Sequence, residues 1–201
     1  MASGDQKIKL ITFTGASGVG KTVIARTLLE QFPLFGWLES ITTRDIRPTD
    51  FPYEYVHISQ EEFLRWISQE KFVEWVQVHG NDYYGTLKES LDRVLCDTKK
   101  VHLKTIDPIG LEKVYAYAPD AIVPFYVLSP SEEILRQHLA DRGESQETIQ
   151  KRIHNCRKWD SDAKASSIPY VFVENKKTVY DAVIHITAYL NDVILLRLKT
   201  N

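Results

Sequence analysis

The chain contains 201 residues, of which 43% are hydrophobic and 26% are charged, and this balance excludes disordered and fibrous classes of protein. The formal net charge of −2 provides no overall attraction to nucleic acid or to an anionic membrane, so we expect the protein to bind neither. A chain of this length suits one domain with a full hydrophobic core.

The cysteines and the N-terminal residues indicate a compartment. Cys96 and Cys156 are far apart in the sequence and have no metal-ligand spacing, which favours free thiols in a reducing cytoplasm. The polar N-terminal segment lacks the apolar region of a signal peptide, and no apolar run is long enough to span a bilayer. We therefore expect a soluble cytoplasmic protein.

Strands and helices alternate along the predicted chain. Ile8 to Phe13 predicts a strand that ends at a glycine-rich loop, and apolar residues at helical spacing follow the loop. Ser59 begins a capping box that opens a short helix. The later predicted elements are a helix near 87–95, strands at 101–106 and 121–128, a helix ending at 142–143, a helix after Ser145, a strand at 170–173 and a helix from Thr178. This alternation predicts an α/β fold with a mostly parallel sheet flanked by helices.

The glycine-rich loop matches the Walker A pattern GxxxxGK[ST] and lies between a predicted strand and a predicted helix. Its backbone N–H groups and the helix N-terminus favour phosphate oxygens, Lys21 adds a mobile positive charge, and Thr22 offers a hydroxyl to Mg²⁺. The alternative is a flexible glycine turn with a surface lysine. The predicted nucleotide phosphate-binding residues are Gly15, Ala16, Ser17, Gly18, Val19, Gly20, Lys21 and Thr22.

A segment rich in Tyr, Trp, Arg and Glu follows, and it carries Arg44 and Arg47 in a predicted loop. Two guanidinium groups can grip one phosphate with planar, bidentate geometry. A solvated basic turn is the alternative for such a pair. The phenolic O–H groups of Tyr53 and Tyr84 are further candidate donors to a phosphate.

Glu74 lies between Val73 and Trp75 on a predicted strand. A polar residue on an ordinary strand is one interpretation. A partly buried carboxylate requires hydrogen-bond donors, however, and guanine presents two adjacent ones, the N1–H and the N2 amine.

The glycine-rich loop, the arginine pair and the segment around Glu74 are features of guanylate kinases, and the sequence resembles this family from Gly15 to its last helix. The markers of the resemblance, in order, are GASGVGKT, SITTRDIR, Tyr53-Glu54-Tyr55-Val56, FVEWVQVHGNDYYGT, Ile106-Asp107 followed by Gly110, Asp141-Arg142-Gly143 and Lys151-Arg152. Their common order makes the set far more specific than any one member.

The resemblance implies a P-loop NTPase fold with an inserted subdomain that binds the nucleoside monophosphate and with a helical lid. The core would comprise 8–35, 98–137 and 160–201, the insertion 36–97, and the lid 138–159. It further implies MgATP and GMP as partners, and a monomer or homodimer.

The resemblance also assigns roles to individual residues. The predicted catalytic residues are Lys21, Arg142, Arg152 and Asp107, of which the two arginines belong to the lid. The predicted GMP-binding residues are Ser40, Arg44, Arg47, Tyr53, Glu74, Tyr84, Thr86 and Thr105. Thr22 and Asp107 are the expected contacts of Mg²⁺, the latter partly through water.

Several residues depart from the family pattern. Thr105 replaces the first of two aspartates and removes a charge that helps read the guanine N2 amine, while His138 replaces a lid arginine. Lys104 and His102 lie on a strand that should be buried. Either this strand is less buried than expected, the interpretation we prefer from sequence, or Lys104 reaches a carboxylate or phosphate.

We therefore expect an enzyme of purine nucleotide metabolism that transfers the γ-phosphoryl of MgATP to GMP, and also to dGMP. Thr105 motivates a second hypothesis, a kinase of the same fold with another nucleoside monophosphate or a ribose phosphate as acceptor. A third is a non-catalytic protein-binding module, although such modules typically lose the Walker lysine that is present here as Lys21.

Overall fold

The computed structural model describes residues 8–47, 50–78, 82–141, 143–175 and 178–199, with side chains as far as Asn191. The strands in these ranges are β1 (Leu10–Thr14), β2 (Phe35–Trp37), β3 (Ser40–Thr42), β4 (Tyr55–His57), β5 (Phe72–Gln77), β6 (Tyr83–Leu87), β7 (Val101–Thr105), β8 (Ile122–Leu128) and β9 (Val171–Glu174). The helices are α1 (Lys21–Gln31), α2 (Gln60–Ser68), α3 (Lys88–Cys96), α4 (Pro108–Tyr117), α5 (Glu132–Asp141), α6 (Gln146–Ala165) and α7 (Val179–Lys199).

The larger sheet has five strands in the order β2-β7-β1-β8-β9. β2 pairs with β7 in parallel, and β8 pairs with β9 in parallel. All five residues of β1 are buried, as expected for a central strand covered on both faces. The predicted α/β class with a mostly parallel, helix-flanked sheet is confirmed.

The smaller sheet has four strands in the order β4-β3-β6-β5. β3 pairs with β4 in parallel and with β6 antiparallel, and β5 pairs with β6 antiparallel. Helix α2 packs its Phe63 ring on Phe72 with ring centroids 4.5 Å apart, in a core shared with Ile41 and Tyr83. The predicted cap is formed, because the Ser59 hydroxyl accepts from the Glu62 N–H.

The described residues divide into two compact units. Within the described residues, one comprises 8–12 and Phe32–Val123 and contains the four-stranded sheet; the other comprises Phe13–Gln31 and 124–199 and contains α7, which packs on α1 and β9. Among the described residues, no helix has the length and apolar character needed to cross a bilayer.

The burial of β7 differs from the preferred sequence interpretation. Lys104 is only 1% exposed, so the strand is buried at this position despite its lysine. His102 is largely buried as well, and its Nε2 lies 2.9 Å from Asp97 Oδ2. The expectation of a less buried strand was wrong, because each polar side chain finds a partner that compensates for burial.

Candidate functional site

The glycine-rich loop follows β1 and leads directly into α1. Gly15 and Gly20 adopt φ angles of 134° and 99°, a region that side chains other than glycine rarely enter. A Cβ on Gly15 would lie 2.4 Å from the Val127 carbonyl oxygen, and one on Gly20 would lie 2.4 Å from Asn175 Nδ2. Both positions therefore require glycine, for backbone conformation and for space.

The Lys21 ammonium lies within the curl of this loop. Its Nζ donates to the carbonyl oxygens of Gly15 and Ala16, each at 2.7 Å. Thr22 follows as the second residue of α1 and is partly buried. The loop, the lysine and the helix N-terminus together form the arrangement that binds nucleotide phosphates in P-loop proteins.

Side chains from later elements of the same unit fix the loop. Arg152 of α6 donates to Ser17 Oγ at 2.5 Å and pairs with Glu144 Oε1 at 2.8 Å. His138 Nδ1 of α5 lies 3.1 Å from the Gly18 carbonyl oxygen, and Asn175 donates to the Val19 carbonyl oxygen at 3.1 Å. The predicted lid residue Arg142 lies outside the described residues.

In the other unit, Arg44 is buried in the segment between β3 and β4. Its Nη2 pairs with Asp50 Oδ1 at 2.9 Å, its Nη1 donates to the Asp45 carbonyl oxygen at 2.6 Å, and its guanidinium stacks 4.9 Å from the centre of the Tyr55 ring. The Tyr55 ring in turn meets the Tyr84 ring edge-on at 6.1 Å. The structure thus brings Arg44 and Tyr84 into one cluster.

Arg47 and Tyr53 are placed differently from Arg44. The side chain of Arg47 is exposed, although its backbone N–H donates to Asp50 Oδ2 at 2.8 Å. Tyr53 is 83% exposed with φ of 72°. Neither side chain contacts the Arg44 cluster among the described residues.

Asp50 is the partner that organises this segment. Burial alone would raise its pKa, but hydrogen bonds from Arg44 and from the Arg47 N–H lower the pKa below its ordinary value. Asp50 is therefore ionised at neutral pH. Its carboxylate pairs with N–H groups of Arg44 that could otherwise donate to a phosphate oxygen.

The predicted base-reading residues lie in one buried cluster. Thr86 donates to Glu74 Oε1 at 2.5 Å across the β5–β6 pair, and Glu74 is 5% exposed. Lys104 Nζ donates to Ser40 Oγ at 2.8 Å and to the Glu39 carbonyl oxygen at 3.2 Å. The structure thus brings Ser40, Glu74 and Thr86 together around a lysine that the sequence analysis did not include in the site.

Burial and charge act against each other in this cluster. Burial raises the pKa of Glu74, and the Lys104 charge and the Thr86 hydrogen bond partly oppose that rise. Burial lowers the pKa of Lys104 to about 8, against the carboxylates of Glu74, Glu39 and Asp107. At neutral pH the lysine is still mostly protonated.

Asp107 caps α4, where its Oδ1 accepts from the Gly110 N–H at 2.9 Å. A Cβ on Gly110 would lie 3.0 Å from Glu74 Oε2 and 3.2 Å from Asp107 Oδ2, so both carboxylates lie against the start of this helix. Thr105 makes no side-chain hydrogen bond to the residues that the structure describes.

Sequence reasoning missed three of these participants. Asp50 and Glu39 give no signal in the sequence, because each is one acidic residue among many until the chain folds around its partner. Lys104 did give a signal, a charged residue on a strand that the alternation predicts to be buried. The second alternative given for this anomaly, a side chain that reaches a charged partner, is the nearer one, because Lys104 is buried and interacts with the charges of Glu74, Glu39 and Asp107.

Comparisons with known proteins agree with this architecture. The guanylate kinase family model matches residues 7–192. A guanylate kinase from Symbiobacterium thermophilum is 42% identical over 152 residues, covering 75% of this chain and 71% of the relative, and one from Porphyromonas gingivalis is 37% identical over 153 residues, covering 75% and 81%.

Solved structures support the fold. The crystal structure of guanylate kinase from Anaplasma phagocytophilum superposes with a TM-score of 0.68 at 23% identity, covering 92% of this chain and 85% of that one. A gluconokinase from Sinorhizobium meliloti gives a TM-score of 0.53 at 14% identity over 95% of this chain and 97% of its own. The family match extends over most of the sequence, and this chain therefore belongs to the guanylate kinase family.

Proposed function

We propose that this protein is an ATP:GMP phosphotransferase, which gives ADP and GDP and also accepts dGMP. A phosphate oxygen of the acceptor forms a bond to the γ-phosphorus of ATP, while the bond from that phosphorus to the β–γ bridging oxygen breaks. The observation that carries the proposal is the glycine loop that encloses the Lys21 ammonium, in a chain of the guanylate kinase family.

On the donor side, the loop from Gly15 to Thr22 would bind the ATP phosphates. Lys21 would move from the loop carbonyls to the β- and γ-phosphates, where its charge stabilises the transferring group. Arg152 already contacts Ser17 of the loop and would add a second positive charge beside the ATP phosphates. Arg142 would add a third.

Magnesium is expected to accompany ATP. Among the residues that the structure describes, there is no group of three or more acidic, His or Cys side chains arranged for a metal. A magnesium ion held largely by phosphates and water needs only one or two protein oxygens, and the Thr22 hydroxyl at the end of the glycine loop is such an oxygen. The resemblance to guanylate kinases assigns a second oxygen, from Asp107, partly through water. When bound, magnesium would neutralise and orient the phosphates.

On the acceptor side, Arg44 and Tyr84 would hold the GMP phosphate, joined by the exposed Arg47 and Tyr53. Because the Asp50 carboxylate already pairs with the Arg44 guanidinium, the phosphate must either displace that carboxylate or share the guanidinium with it. Ser40, Glu74 and Thr86 would read the base, and Thr105 would supply at most an uncharged contact to the N2 amine.

The predicted domain organisation remains part of this proposal. We assign 36–97 to acceptor binding, 138–159 to the lid and the remainder to the core. The free thiols of Cys96 and Cys156 fit a cytoplasmic enzyme, which would act as a monomer or homodimer.

The test is an ADP-release assay with ATP and a panel of acceptors: GMP, dGMP, AMP, CMP, UMP and ribose 5-phosphate. We expect turnover with GMP and dGMP. Preference for another acceptor would support the hypothesis of a changed substrate, and no turnover by a folded protein would leave only the binding module.

Lys21→Ala is the variant that tests the donor site. We expect its turnover to fall by at least about 100-fold, because the preorganised charge at the phosphates is lost. Lys158→Ala is the matched control, since Lys158 is an exposed lysine on α6 that pairs with the exposed Asp162 on the same helix. Equal turnover of the two variants would contradict the assignment of Lys21.

A further inference from the structure

Ser40, Glu74, Thr86 and Lys104 are here called the acceptor cluster. The buried ammonium of Lys104 is the feature of this cluster that the proposed function leaves unexplained. An apolar residue would suit this position on β7, because moving an ammonium out of water is costly. Lys104 uses two of its three N–H donors, one on Ser40 Oγ at 2.8 Å and one on the Glu39 carbonyl oxygen at 3.2 Å. No partner for the third is found among the described residues.

These contacts set the direction of the Ser40 hydroxyl. Ser40 Oγ accepts from Lys104, so its own hydrogen is free to donate away from the lysine. Lys104 and Ser40 therefore present hydrogen-bond donors side by side, on the two strands β7 and β3.

The opposite member of the cluster presents an acceptor. Glu74 Oε1 is held by Thr86, whereas Oε2 has no hydrogen-bond partner in the part of the chain that the structure describes. Glu74 and Lys104 make no direct ion pair within that part, although their charges interact. A donor pair and a carboxyl acceptor oxygen thus lie near each other without being joined.

We propose that Lys104 is a specificity-determining residue of the acceptor site, which selects a purine that carries a carbonyl next to a ring N–H. This inference rests on the proposed function and deepens it. The Lys104 charge and the Ser40 hydroxyl face the 6-carbonyl oxygen, and Glu74 Oε2 faces the adjacent N1–H.

Adenine presents the reverse pattern at the same two positions. Its 6-amino group is a donor that would face Lys104 and Ser40, and its unprotonated N1 is an acceptor that would face the Glu74 carboxylate. Both pairs are mismatched, so the cluster rejects adenine as well as accepting a 6-oxopurine.

Lys104→Met tests this role, because methionine keeps the length of the side chain and removes its charge. The measurements are KM, or the inhibition constant, for GMP, IMP and AMP, together with KM for ATP. GMP and IMP share the 6-carbonyl and the N1–H, so both constants should rise about tenfold or more while AMP and ATP change less than twofold. The preference for GMP over AMP should fall accordingly.

Lys9→Met is the matched control. Lys9 is a lysine of the same unit whose Nζ donates to the Asp97 carbonyl oxygen, at a site that the acceptor cluster does not include. Its acceptor preference should equal that of the unchanged protein. Lys104→Gln, which keeps a donor for Ser40 without the charge, replaces Lys104→Met if thermal unfolding shows that the methionine variant is not folded.

The outcomes are distinct. If the unchanged protein phosphorylates GMP and the folded Lys104 variant keeps its preference for GMP over AMP, the inference is wrong and the proposed function stands. An equal rise in the constants for GMP, IMP and AMP would also overturn the inference, because a lysine with a merely structural role would weaken the binding of all three nucleotides alike. If the unchanged protein phosphorylates no acceptor, both proposals fail.

Discussion

At the scale of single residues, the acceptor cluster shows how one buried charge depends on another. Burial raises the pKa of Glu74 and the Lys104 charge opposes that rise, while Lys104 is kept protonated at neutral pH with help from Glu74, Glu39 and Asp107. Removing either partner takes away part of what compensates for the burial of the other, and an uncompensated buried charge is destabilising. Acceptor binding should therefore respond to pH through this pair.

The pH dependence has a definite sign. Burial lowers the pKa of Lys104 to about 8, so its charge is present below that pH and is lost as the pH rises through it. KM for GMP should therefore rise several-fold above about pH 8, while KM for ATP shows no such step. Steady-state kinetics between about pH 6.5 and pH 9.5 measure this change.

Other groups that titrate near Lys104 must be separated from it. Glu74, Glu39 and Asp107 also interact with Lys104, but a carboxyl group that ionises as the pH rises becomes a better hydrogen-bond acceptor, so its titration would not imitate the loss of the Lys104 charge. The guanine N1–H ionises in base too, so the profile of Lys104→Met supplies the reference. A rise in KM of equal size and midpoint in that variant would show that Lys104 does not cause it.

At the scale of elements, the sequence predicted most of the secondary structure for identifiable reasons. The hydroxyls of Ser59 and Ser145 accept from the N–H groups of Glu62 and Thr148, as their capping positions require. The side chain of Asp107 also caps a helix, a role that adds to the one expected near a metal. The pairing of Arg44 with Asp50 could not be predicted, because it depends on how the loop between β3 and β4 folds.

Gly110 on α4 offers a test at this scale. Replacing a glycine inside a helix by alanine normally stabilises the helix by about 0.5–1 kcal/mol. Here the new Cβ would lie 3.0 Å from Glu74 Oε2 and 3.2 Å from Asp107 Oδ2, so a carboxylate must shift. We expect Gly110→Ala to keep the melting temperature within a few degrees while KM for GMP rises by roughly tenfold.

Ile109→Ala is the control for Gly110→Ala, because Ile109 lies beside it on the same helix and is 68% exposed. This variant should leave KM for GMP and KM for ATP unchanged. An unaltered KM for GMP in a folded Gly110→Ala protein would contradict the expected displacement of Glu74, the nearest of these groups, from a position that acceptor binding requires.

At the scale of the whole molecule, the fold class followed from alternating strands and helices, and the family followed from ordered motifs that span the chain. The five-stranded order β2-β7-β1-β8-β9 did not follow from the sequence, since many orders are compatible with the same alternation. The residues proposed for the donor phosphates and those proposed for the acceptor each lie within one compact unit. Each set can therefore be tested by its own ligand.

Thermal unfolding provides that test. A ligand at about 100 times its Kd stabilises the native protein by about 2.7 kcal/mol, which raises the melting temperature of a protein of this size by roughly 5–10 °C. Lys21→Ala should lose most of the shift produced by MgATP and keep the shift produced by GMP. Arg44→Ala should lose most of the GMP shift and keep the MgATP shift, because a charge-assisted contact to the acceptor phosphate contributes about 1.5–3 kcal/mol.

Each shift is referred to the melting temperature of the same variant without ligand, since Arg44→Ala also leaves Asp50 without its ion-pair partner. A variant that lost both shifts while remaining folded would contradict the assignment of donor and acceptor binding to separate sets of residues.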